Sequence, residues 1–151
     1  MSIDLSDRAI LITGGGGFLA LEFARSLSRA GAVPVLPDID LARAQANAEA
    51  LDAEGLAATP LQTDVTEPAE CSRLVEIVVE RLGRLDGLIN NAIDPSFDRN
   101  HDGDPYPAFG DYLLELWNLS LRVDVMAFLF SDAASYMAGS NVVIDRGWTA
   151  W

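Results

Sequence analysis

Short apolar runs alternate with stretches of helical spacing over the first ninety or so residues. Ala9-Ile10-Leu11-Ile12 ends in Thr13 and the glycines Gly14, Gly15, Gly16 and Gly17, a pattern that predicts a buried strand running into a tight turn. Over residues 18–30, Leu19, Phe23 and Leu27 recur at helical spacing with Ala20 and Ala24 alongside, and Gly31 stands where a helix ends. Residues 33–36 predict a second strand; Pro34 cannot donate to a ladder and argues for a short or edge-like one. Residues 41–54 are rich in Ala, Gln and Glu and predict a helix capped by Asp40 and closed by Gly55. Residues 57–62 predict a third strand, Pro68 opens a helix reaching about residue 82, and residues 85–89 predict a fourth strand.

Strands separated by helices of this length imply parallel pairing through right-handed crossovers. The second half differs. Residues 94–107 are polar and rich in Pro and Asp, and residues 111–138 predict one long helix with apolar residues on more than one face. Such a helix is buried on several sides or lies in a homo-oligomer interface. Val142-Val143-Ile144 reads as a last short strand. The expected architecture is a single α/β domain over residues 1–151. Its strands are expected to pair in parallel, with the final strand beside the fourth and the long helix as its crossover.

Charge and composition narrow the function. The net charge of −13 disfavours a nucleic-acid partner, although backbone N–H groups can still hold a small cofactor phosphate. No apolar run approaches the roughly 18–20 residues of a membrane helix. The first residues lack the basic and apolar regions of a signal peptide, and Cys71 is the only cysteine, so a reducing cytoplasm is the expected location. All ten basic residues are arginine; the chain contains no lysine.

Glycines between a strand and a helix let the backbone turn sharply and approach a pyrophosphate, and the helix N-terminus offers it free N–H groups and a partial positive charge. Asp38 follows the second strand, 24 residues after Gly14, where a dinucleotide site wants a carboxylate for the adenosine ribose hydroxyls. The same carboxylate repels a 2′-phosphate, so NAD is expected over NADP.

Together these residues resemble the short-chain dehydrogenase/reductase family. Residues 13–20 are similar to its Thr-Gly-x-x-Gly-x-x-Gly form, with Ala20 for the last glycine. Asp64-Val65 stands where the family contacts adenine, and Asn90-Asn91-Ala92 resembles its Asn-Asn-Ala-Gly motif, with Ile93 for the glycine. The resemblance implies NAD contacts from Gly14, Gly16, Gly17, Phe18, Leu19, Asp38, Ile39, Asp64, Val65, Asn91 and Ala92. It resumes at residues 131–140, similar to the family's far C-terminal segment, and at Asp145-Arg146-Gly147-Trp148. It also implies a Rossmann-like, doubly wound parallel sheet of order 3-2-1-4, truncated here, because the family's middle, with its catalytic Ser and Tyr-x-x-x-Lys, has no counterpart. Ala127-Phe128-Leu129 matches both sides of that junction and suggests an internal deletion.

The loss bears on mechanism. A tyrosine with an ordinary pKa near 10 needs a neighbouring cation to act as acid or base at neutral pH, and the family's lysine supplies it. Tyr136 is followed four residues later by Ser140, and Asp124 stands where the family places an asparagine. No catalytic residue is therefore assigned. Asp98-Arg99-Asn100-His101-Asp102-Gly103 resembles the opening of a calcium loop, but Phe109 occupies the position of the bidentate glutamate, and no metal site is expected. Three readings follow: an NAD-binding protein without ordinary turnover, an active oxidoreductase using an unorthodox acid/base such as Asp124 or Tyr112, or a scaffold that binds no nucleotide.

Overall fold

The computed structural model describes residues 4–93. Strands and helices alternate: β1 (Ala9–Ile12), α1 (Phe18–Arg29), β2 (Val33–Asp38), α2 (Leu41–Asp52), β3 (Thr59–Gln62), α3 (Pro68–Leu82) and β4 (Gly87–Ile89). The strands form one parallel sheet of order β3-β2-β1-β4, the expected Rossmann-like arrangement. The final strand, the long helix over 111–138, the calcium-like loop with His101, and Tyr112, Asp124 and Tyr136 lie outside the described residues.

Two apolar layers hold the sheet. Successive strand residues face opposite sides, so Ile12 and Leu36 pack with Ala20, Ala24, Ala44 and Leu51, while Leu11 and Val35 pack with Leu74 and Val78. Helices α1 and α2 therefore cover one face and α3 the other. The chain changes face between β3 and β4, which sit at opposite edges of the sheet formed by the described residues. Open α/β sheets bind ligands at the carboxyl ends of the strands that flank such a switch, here β1 and β4.

The buried stripe of α1 differs from the one its large residues suggest. Ala20 and Ala24 are fully buried, whereas Leu19 and Phe23 are exposed, with Leu21 and Leu27 packing at the margin. Small residues let the helix axis approach the sheet closely, and the larger neighbours are displaced to the flanks.

The second strand also departs from expectation. It runs to Asp38, is paired on both sides, and buries both Pro34 and Pro37. Register explains the tolerance. In a parallel strand the backbone groups of successive residues point alternately to the two neighbours. The Val33 N–H donates to the Arg8 carbonyl on the β1 side, so the Pro34 nitrogen faces β3, whose ladder begins only at the next residue, Val35. The Pro37 nitrogen faces β1 beyond its last pair, Leu11 with Val35. Neither ladder wants a donor where a proline stands.

Local signals hold elsewhere. Asp40 caps α2 by accepting from the N–H groups of Ala42 and Arg43. Pro68 occupies the first turn of α3, and Gly83 closes that helix with φ +75°.

At the other end of the sheet, Asp86 joins β1 to β4. It accepts from Arg84 (2.7 Å and 2.6 Å), from Arg8 (2.8 Å) and from the Ala9 N–H (2.9 Å). The Arg84 guanidinium, then that of Arg8, holds the Asp86 carboxyl well below the usual carboxylate range. A depressed carboxylate contributes stability above its unfolded pKa of about 3.9 and loses it as pH falls toward the folded value. Asp86→Asn is therefore expected to lower the melting temperature at pH 7 and to flatten its decline below about pH 4. Parallel acid limbs in thermal melts of the two proteins would show that the cluster contributes nothing.

Candidate functional site

Each glycine after β1 meets a different part of the fold. Gly14 has φ +64°, and a Cβ there would lie 2.9 Å from the Ala92 Cα. The Gly15 N–H donates to the Pro37 carbonyl (2.8 Å), and a Cβ would lie 2.6 Å from the Leu36 backbone. The Gly16 N–H donates to Asp38 Oδ2 (2.8 Å), and a Cβ would lie 2.5 Å from the Arg43 Cβ. The Gly17 N–H closes the turn onto the Gly14 carbonyl (2.9 Å). The turn is pressed at once against β2, α2 and the segment after β4.

This leaves the donors of α1. Gly17 is its N-cap and has no side chain to offer. The first helical bond runs from the Leu21 N–H to the Gly17 carbonyl (3.2 Å). Among the described residues, no hydrogen bond engages the N–H groups of Phe18, Leu19 or Ala20. Three unengaged donors at the positive end of a helix, beside a turn without Cβ atoms, fit an anionic oxygen group such as a pyrophosphate.

Asp38 lies one strand over and is largely buried. Its Oδ2 takes the Gly16 N–H and its Oδ1 takes the Asp40 N–H (2.9 Å). Both oxygens are thereby oriented, and each retains acceptor capacity for a hydroxyl donor. Asp40, not Asp38, caps α2.

The segment after β4 is tied to the same turn. Thr13 Oγ1 accepts from the N–H groups of Asn91 (2.9 Å) and Ala92 (3.0 Å), and Asn91 Nδ2 donates to the carbonyls of Thr13 (2.9 Å) and Gly14 (3.3 Å). The Asn91 amide thus fastens the turn to β4. Thr13, counted in the sequence only as part of a motif, is the centre of that clip.

At the far side of the sheet, Asp64 Oδ1 accepts from the Thr66 N–H (2.8 Å) and hydroxyl (2.7 Å), and the Asp64 N–H donates to Glu70 (2.7 Å). Asp64 and Ile39 line a cavity of about 510 Å³, bounded by Gln62, Arg73 and Ile77 between β3 and α3. The Val65 carbonyl faces the Cys71 thiol (3.5 Å). Burial first, then the nearby Asp64 and Glu70 carboxylates, pushes that thiol up, so Cys71 is protonated and a poor nucleophile at neutral pH.

The fold therefore gathers Gly14, Gly16, Gly17, Phe18, Leu19, Asp38, Ile39, Asn91 and Ala92 along the carboxyl ends of β1, β2 and β4, with Asp64 and Val65 at the end of β3. Phe18, Leu19, Ile39 and Ile93 stand exposed on this edge. Asn47 of α2 escaped the sequence reading. Its Nδ2 donates to the carbonyls of Gly15 (2.8 Å) and Gly17 (3.0 Å).

The model of the short chain dehydrogenase family matches residues 8–104, which contain every one of these site residues. This chain belongs to the short-chain dehydrogenase family. It is 33% identical over 135 residues to 2-(S)-hydroxypropyl-CoM dehydrogenase 3 of Xanthobacter autotrophicus, covering 89% of this chain and 49% of that protein. It is 39% identical over 88 residues to galactitol 2-dehydrogenase of Agrobacterium fabrum, covering 58% and 33%. It is 32% identical over 132 residues to 5-keto-D-gluconate 5-reductase of Escherichia coli, covering 87% and 48%. The chain spans half or less of the length of these relatives, which are oxidoreductases by name. The crystal structure of a short-chain type dehydrogenase/reductase from Mycobacterium marinum shares the fold, with a TM-score of 0.74 at 23% identity over 91% of this chain and 52% of that one.

Proposed function

We propose that this chain binds NAD(H) at the carboxyl edge of its sheet and does so without the family's usual acid/base machinery. The observation that carries the reading is the set of unengaged N–H groups of Phe18, Leu19 and Ala20, one strand away from the oriented carboxylate of Asp38. The N–H groups would hold the pyrophosphate, and Asp38 would accept from the adenosine ribose. Ile39, Asp64 and Val65 would flank the adenine. When bound, the nicotinamide supplies or accepts a hydride. The chain's own part is to anchor and orient the dinucleotide.

Asp38 also sets the expected preference. A 2′-phosphate would bring a second negative charge against a largely buried carboxylate. Two like unit charges about 4 Å apart repel by roughly 4 kcal/mol at an effective dielectric near 20. NADH is expected to bind at micromolar concentration and NADPH at least ~10-fold more weakly. Asp38→Ala should weaken NADH and narrow that gap. Titration calorimetry with both nucleotides on both proteins measures this, and equal affinities in the unaltered protein would remove the role of Asp38.

The absence of lysine from all 151 residues carries the second half of the proposal. A tyrosine without its cation partner remains protonated near pH 7. Turnover of a panel of alcohols and ketones with NAD(H) is expected to stay at background. Turnover lost in Asp124→Asn or Tyr112→Phe would instead assign an unorthodox acid/base to this chain. A folded protein that binds no dinucleotide would leave a scaffold.

A further inference from the structure

Asn47 reaches across from α2 and touches the glycine turn at two places. Both partners are carbonyl oxygens, which identifies the contacting atom as the amide nitrogen and places its two N–H bonds on Gly15 and Gly17. No other hydrogen bond engages the Gly15 carbonyl among the described residues. The Gly17 carbonyl is shared between Asn47 and the Leu21 N–H, the first bond of α1.

A trans peptide is planar, with its C=O and N–H pointing in opposite directions. Holding the Gly15 oxygen toward α2 therefore turns the Gly16 N–H the other way, where it meets Asp38 Oδ2 at 2.8 Å. Holding the Gly17 oxygen likewise turns the Phe18 N–H away from α2, out of the end of α1. The backing is close as well, since a Cβ on Gly16 would sit 2.5 Å from the Arg43 Cβ and 3.1 Å from the Ala44 nitrogen. Arg43 and Ala44 brace the turn, and Asn47, one helical turn from Arg43, grips it on either side.

We infer that Asn47 is a positioning residue for the dinucleotide: it aims the Gly16 N–H at Asp38 and the Phe18 N–H at the pyrophosphate. The inference rests on the nucleotide reading above and assigns to α2 a part in phosphate binding. Without the amide, the Gly15–Gly16 peptide is held only through the Gly16 N–H on Asp38 and the Gly17 carbonyl only by the Leu21 N–H, so the Phe18 N–H loses its fixed aim.

The test compares ADP-ribose, which carries the pyrophosphate, with adenosine, which lacks it, on the full chain. Asn47→Ala is expected to weaken ADP-ribose ~10-fold or more while adenosine changes by less than about 3-fold, because Asp38 keeps its Asp40 anchor. Asn47→Asp has nearly the same volume and keeps the test readable should the alanine variant not fold. At pH 7.5 its carboxylate faces two carbonyl oxygens. Two facing acceptors disfavour the charged form and raise this carboxyl above its ordinary value of about 3.9, so as pH falls to 5.5 it gains protons and regains a donor; its ADP-ribose affinity should rise at least ~3-fold while that of the unaltered protein stays nearly constant. A merely structural role would weaken both ligands alike. Equal losses, an unchanged ADP-ribose affinity in Asn47→Ala, or a flat pH response in Asn47→Asp would overturn the inference. Failure of the unaltered, folded protein to bind ADP-ribose at all would instead overturn the nucleotide reading itself, and this inference with it.

Discussion

Gly17→Asp is expected to weaken NADH at least ~100-fold while leaving the melting temperature unchanged or higher. The two effects have one cause. Gly17 is the N-cap of α1, with φ −79° and ψ 159°, a conformation open to any residue. Aspartate is among the strongest N-cap residues, because its side chain accepts from the second or third N–H of the helix. Those groups belong to Leu19 and Ala20, two of the three donors that the fold leaves unengaged. Relative to glycine, which is itself a tolerated N-cap, the aspartate would stabilise α1 by roughly a few tenths of a kcal/mol and at the same time withdraw these donors from a ligand. It would also set a carboxylate where the pyrophosphate is to sit, so charge repulsion adds to the lost donors. The steric demand is modest, since the added Cβ would meet nothing closer than the Gly14 carbonyl oxygen at 3.1 Å. Titration calorimetry with NADH and a thermal melt on the same preparation measure both halves. NADH affinity retained in a folded Gly17→Asp protein would mean that the end of α1 does not hold the nucleotide.

The features legible in the sequence are those decided within a few residues. The turn after β1, the cap at Asp40, Pro68 at the start of α3 and the left-handed Gly31 after α1 follow from local chemistry. Alternation of strand and helix implies parallel pairing through right-handed crossovers, and the family resemblance adds the sheet order 3-2-1-4. Features decided by register or by distant contacts were not legible. Pro34 reads as an edge marker until the ladder of β3 is seen to begin one residue later. The buried stripe of α1 depends on how close the helix lies to the sheet, and at close range Ala20 and Ala24 outcompete Leu19 and Phe23 for the interior. Asp38 was legible as a carboxylate at the end of a strand, but its two backbone donors were not. The sequence marks Asn91 as a contact for a ligand, and the structure engages its amide with the carbonyls of Thr13 and Gly14. Asn47 joins residues 30 and 32 positions away, and nothing local in an alanine-rich helix marks it.

Gly15→Ala should be the most destabilising of the conservative changes in the turn, by about 3 kcal/mol. Backbone conformation is not the obstacle, since among these four glycines only Gly14 has a left-handed φ. The obstacle is steric and immovable. The new methyl would lie 2.6 Å from the C, Cα and Cβ atoms of Leu36, a fully buried residue in a strand paired on both sides. A flexible side chain could swing aside, but here the strand itself would have to shift. The Gly15 N–H is committed as well, donating to the Pro37 carbonyl beyond the last β1–β2 pair. Moving the turn away from β2 breaks that bond and separates Gly16 from Asp38, so nucleotide affinity should fall together with stability. A loss of about 3 kcal/mol lowers the melting temperature of a chain of this size by roughly 10 °C. Gly17→Ala is the matched control. It makes the same chemical change two residues on, where the nearest atom is 3.1 Å away, and should cost a small fraction of that loss. Equal melting temperatures for the two alanine variants would mean that the turn is not held against β2 and that Asp38 is not fixed through it.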